Sequence, residues 1–73
     1  MEVKELRIQL SENRFIEVSK YRGKTLVSIR EYYQDHTGKL KPGKKGISLS
    51  VDQWTTIVQN AEKINDTILN HHF

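Results

Sequence analysis

The chain has 73 residues, no Cys, a single Pro and a formal net charge of +3, and all of it fits one domain. A domain this short hides only about 60% of its unfolded surface and commonly gains from dimerisation, while the lack of Cys excludes a disulfide framework or cysteine-ligated zinc. The opening MEVKELRIQL lacks a signal peptide's basic-then-apolar pattern, and no apolar run approaches the ~20 residues that span a bilayer, so an intracellular protein with no membrane partner is expected.

The first half alternates at period two. Leu6, Ile8 and Leu10 are separated by Arg7 and Gln9, and the pairs Ile16/Val18 and Val27/Ile29 continue the pattern. Each run reads as a strand with one apolar face. Arg22-Gly23 supplies the turn between the second and third strands, where glycine accepts positive φ. Glu17, Ser19 and Tyr21 point away from Ile16 and Val18, as Ser28 and Arg30 point away from Val27 and Ile29. The opposite face is therefore expected to be polar and open to solvent.

Residues 34–46, QDHTGKLKPGKKG, hold three of the four glycines and the proline. They read as the one substantial loop, with part of a fourth strand ending at Ile47 and Leu49. From Ser50 the period becomes helical, with an apolar stripe of Trp54, Ile57, Val58, Ala61, Ile64 and Ile68. Ser50 and Gln53 have capping-box spacing. One helix over about residues 51–69 would be roughly 28 Å long. The fold class is α+β: a four-stranded antiparallel sheet followed by one long C-terminal helix. The stripe is long for one small sheet to cover, so part of it is expected to face a second subunit.

Charge is concentrated. Residues 20–46 carry eight Lys or Arg against Glu31 and Asp35, a block that suits an anionic partner. Gly38 to Lys45 nearly matches a phosphate-binding loop, but Lys45 stands where a magnesium-holding hydroxyl belongs, and the segment joins strands rather than leading from strand into helix. His36 lies in the loop and His71-His72 at the C-terminus, a poor scaffold for closed metal ligation. With no catalytic context, the chain reads as a non-enzyme with no cofactor and no metal. What remains is cations interleaved with aromatics: Lys20-Tyr21-Arg22, Lys24, Arg30, Tyr32-Tyr33, Lys39, Lys41, Lys44 and Lys45. Cations track phosphates while exposed rings stack on bases, a combination that favours single strands over duplex. The competing explanation is that the tyrosines simply fit the pleat.

The stretch IREYYQDHTGKLKPGKKGISLSVDQW, residues 29–54, resembles the single-stranded DNA-binding domain of the positive cofactor 4 (Sub1-like) transcriptional coactivators. Members carry a similar I-R-E-Y-W, an acidic turn, K-P-G-R/K-K-G-I-S-L and a helix tryptophan. With Tyr21-Arg22-Gly23-Lys24, the likeness covers about residues 14–69. It implies a homodimer that presents paired channels to single-stranded DNA with little sequence preference. The DNA-binding positions it implies are Arg14, Tyr21, Arg22, Lys24, Arg30, Tyr33, Lys41, Lys44 and Lys45, with Tyr21 and Tyr33 as the stacking rings. Ser19 and Glu12 depart from basic positions of the pattern, which implies weaker binding or a shifted path.

Eukaryotic members usually carry a serine- and lysine-rich tail before this domain. The opening MEVKELRIQL therefore suggests a bare domain, similar to a viral, bacterial or otherwise simplified relative, for which replication, recombination or repair is as plausible as transcription. The resemblance implies the nucleus in a eukaryote, and the cytoplasm (the host's, for a virus) otherwise. It also allows an alternative, a protein-interaction adaptor whose basic loop meets acidic segments of the transcription or replication machinery.

Overall fold

The computed structural model describes residues 2–71; His72 and the initial methionine lie outside them. Four strands, β1 (Glu2–Ser11), β2 (Arg14–Tyr21), β3 (Lys24–Gln34) and β4 (Leu40–Ser50), form an antiparallel meander in the order β1-β2-β3-β4. Two helices follow, α1 (Val51–Gln59) and α2 (Ala61–Asn70). The fold class is the α+β arrangement expected, with the helical part divided.

Local chemistry accounts for the joints. Arg22 (φ 53°) and Gly23 (φ 78°) form a two-residue hairpin between the register partners Tyr21 and Lys24. Both turn residues take positive φ, which matches the right-handed twist of the strands. At the β3–β4 turn, Asp35 Oδ1 accepts from Thr37 N at 2.8 Å, Thr37 Oγ1 at 2.6 Å and Lys39 N at 3.0 Å. Gly38 completes this turn at φ 87°. Ser50 opens α1 through the expected capping box, accepting from Gln53 N at 3.2 Å while Gln53 Oε1 accepts from Ser50 N at 3.0 Å.

Three expectations need correction. The loop over residues 34–46 is really a short turn, because Leu40–Ser50 is continuous strand. β4 is an edge strand, where a proline without an N–H is tolerated. Its glycines sit tight against β3: a Cβ on Gly46 would lie 2.9 Å from the Ile29 carbonyl oxygen. The single helix over 51–69 is interrupted at Asn60, whose side-chain amide donates to the Thr56 carbonyl at 2.7 Å. α1 lies against β3 and β4, whereas α2 approaches only α1.

The third correction concerns the polar sheet face, which is crowded rather than open. Phe15, Glu17, Ser19, Ser28 and Tyr32 are all buried there, and Val27 is the buried residue of the apolar face. Long side chains from β1 lean over that polar trough. Much of the apolar face stays uncovered instead, with Leu6, Ile8 and Ile47 each half-exposed.

Candidate nucleic-acid interface

The expected binding residues divide into groups. At the β2–β3 hairpin, Tyr21 is 43% exposed and the Arg22 guanidinium carbon lies 5.3 Å from its ring centroid. Lys24, its register partner, completes this group. At the far end of β3, Tyr33 is 53% exposed and faces Lys41 in register. Nine residue steps of strand separate Lys24 from Tyr33, about 30 Å at the standard rise.

Alternation also puts the two rings on different faces. Tyr21 shares the face of Phe15, Glu17 and Ser19, together with Lys24 and Arg30. Tyr33 follows buried Tyr32 and so points the other way, as do Arg14 and Glu31. One protomer therefore does not bring all the expected residues onto one surface.

Ion pairing sorts the cations further. Arg14 binds Glu31 at 2.6 Å, and Lys41 binds Asp35 at 3.2 Å. The hydrogen bond from Thr37 holds the Asp35 carboxyl down at about 2, assisted by the Lys39 and Thr37 amides and by Lys41. Arg14 likewise keeps the Glu31 carboxyl below the usual range. Arg22, Lys24, Arg30, Lys44 and Lys45 form no ion pair among the described residues. Lys44 and Lys45 occupy the β4 irregularity between Pro42 and Gly46, where the register with β3 shifts. Arg30 runs beside Gly46, since a Cβ there would meet Arg30 Cγ at 3.3 Å.

Sequence reasoning missed a cluster on the polar face. The Lys4 Nζ donates to Tyr32 Oη at 2.7 Å and lies 3.2 Å from Glu17 Oε2, while Tyr32 donates its hydroxyl to that same Glu17 carboxylate. The hydrogen bond to Tyr32 holds the Lys4 ammonium above its ordinary value, with Glu17 adding to the effect against the cost of burial. Arg7 lies over both neighbouring rings. Alternation already placed Arg7 on this face. Lys4 was hidden because a register shift between Lys4 and Leu6 reverses the alternation, and nothing in the sequence marks it.

A four-stranded antiparallel sheet followed by two consecutive helices, carrying exposed rings and unpaired cations, defines a class of compact, basic sheet domains. The family described as Transcriptional Coactivator p15 (PC4) matches residues 8–60. The chain belongs to that family. Among its relatives, the RNA polymerase II transcriptional coactivator KIWI of Arabidopsis thaliana is 49% identical over 59 residues, covering 81% of this chain and 54% of that protein. A Drosophila melanogaster RNA polymerase II transcriptional coactivator is 44% identical over 78% of this chain and 51% of its own length. The chain thus spans about half the length of these relatives. They are named as coactivators rather than enzymes, in keeping with the non-enzymatic expectation, and they lend no support to a viral or bacterial role.

Solved structures agree. A MoSub1–DNA complex matches with a TM-score of 0.80 at 34% identity, covering 93% of this chain and 88% of the other. A PC4 homolog from Burkholderia pseudomallei, at 24% identity and TM-score 0.59 over 89% of this chain and 98% of its own, shares the fold.

Proposed function

We propose that this chain binds single-stranded DNA without sequence preference and acts, as a homodimer, in transcription by RNA polymerase II. Its relatives' names favour transcription over replication, recombination or repair, and support the nucleus as its place of action. The carrying observation is that Tyr21 and Tyr33 stand exposed, with the unpaired cations Arg22 and Lys24 beside Tyr21, on a fold that matches a protein solved with DNA. Rings stack on bases whatever their identity, and Lys and Arg neutralise the sugar-phosphate chain. The set proposed to do this is Arg14, Tyr21, Arg22, Lys24, Arg30, Tyr33, Lys41, Lys44 and Lys45. Because the two rings lie at opposite ends and on opposite faces, a bound strand would use one end of each protomer, or run around the sheet edge.

Fluorescence-anisotropy titration of a poly-dT oligonucleotide tests the reading. Tyr21→Ala should weaken binding by ~1–3 kcal/mol. Lys44→Ala and Lys45→Ala should each lower the slope of log affinity against log salt by ~0.7. Unchanged titrations for all three variants would reject this surface.

A further inference from the structure

Arg7 and Glu17 are directly opposite one another in the β1–β2 register. That is where a cross-strand ion pair would ordinarily form. It does not form here. The Glu17 carboxylate is turned to Lys4 and to the Tyr32 hydroxyl, and it is only 2% exposed. The register shift after Lys4 makes this possible, by bringing Lys4 and Arg7 onto the same face.

Arg7 rests instead on a platform of two rings. Its guanidinium carbon lies 5.0 Å from the Phe15 centroid and 5.4 Å from that of Tyr32. The rings meet edge to face, at 5.1 Å and 80°. Among the described residues the Arg7 side chain forms no ion pair, and guanidinium N–H donors fit phosphate oxygens in pairs. Lys4 cancels the Glu17 charge, so Arg7 keeps its own. Arg30 is the register partner of Phe15 on β3 and shares this face, two strand spacings, or about 10 Å, from β1.

We propose that Arg7 is a phosphate-binding residue which, with Arg30 across Phe15, seats a sugar-phosphate segment of single-stranded DNA and carries the interface onto β1. Lys4 and Glu17 are positioning residues: they fix Tyr32, and Tyr32 and Phe15 fix Arg7. The Lys4–Glu17 pair, buried only on its glutamate side, contributes little net stability, but it holds the Tyr32 ring in one place beside the guanidinium. The inference rests on the single-strand reading above.

The test is a salt series of poly-dT titrations with the full chain as wild type, Arg7→Gln and Arg7→Lys, alongside thermal melting of each. Arg7→Gln should bind about tenfold more weakly at low salt and lose ~0.7 from the salt slope. Arg7→Lys should recover the slope, since the charge remains, but not the full affinity, since the paired donors are gone. A residue that merely shields Phe15 and Tyr32 would change the melting temperature and leave the slope alone. An unaltered slope in Arg7→Gln, with wild type binding normally, overturns the Arg7 assignment alone. Absence of binding by wild type overturns the single-strand reading and the Arg7 assignment together.

Discussion

Tyr32 and Tyr33 are adjacent and chemically identical, yet the sheet buries the first to 4% exposure and leaves the second 53% exposed. Tyr32 packs edge to face on Phe15 and gives its hydroxyl to Glu17. Tyr33 looks out past Gly43, where a Cβ would stand 3.8 Å from its ring. Their roles should therefore separate on mutation. Tyr32→Ala should cost about 3–5 kcal/mol of stability, as for other buried aromatic truncations. Tyr33→Ala should leave stability nearly unchanged and weaken poly-dT binding by ~1–3 kcal/mol. Urea denaturation and anisotropy on both variants measure this, and a stability loss at Tyr33 as large as at Tyr32 would refute the division.

Alternation made that pair partly legible, because it assigns neighbours to opposite faces. The strands β1 to β3, the Arg22-Gly23 turn and the Ser50 capping box were equally readable, since each depends on residues close in sequence. β4 was not, because Gly43, Gly46 and Pro42 carry loop propensities that edge pairing overrides. The break at Asn60 was hidden inside an unbroken apolar stripe, since it depends on a side-chain amide turning back to the Thr56 carbonyl. In the candidate site, the rings and cations could be named from the sequence. Their distribution over two faces and about 30 Å of strand could not, nor could the neutralisation of Lys41 by Asp35.

Asp35 gives the β3–β4 turn a defined response to acid. Its carboxyl is lowered from the ordinary 3.8 to about 2, chiefly by the Thr37 hydroxyl. A folded-state value below the unfolded one means stability that is fully present above the ordinary value and is lost as pH falls through the folded one. Asp35→Asn should therefore melt at a lower temperature than wild type near neutrality, and the gap should close as pH falls from about 4 to about 2. Melting curves across that range give the answer; a gap that persists undiminished in acid would show that the carboxylate's charge is not what stabilises the turn.

The proposed homodimer would cover apolar residues that one protomer leaves exposed. Neither helix has a buried residue, and Val58, Ile64 and Ile68 stand 53%, 48% and 58% exposed. Leu6, Ile8 and Ile47 of the sheet are 51%, 50% and 56% exposed. Monomers rarely expose contiguous apolar patches beyond a few hundred Å², and a chain of 73 residues has little other means of enlarging its core. Self-association would place α2, which touches no strand of its own protomer, against the partner. Wild type should sediment as a dimer at micromolar concentration and melt at a temperature that rises with concentration. The double variant Ile64→Glu/Ile68→Glu should sediment as a monomer and lose that concentration dependence. A wild-type monomer throughout the micromolar range would sink the dimer, and would leave the exposed stripe to a partner of another kind.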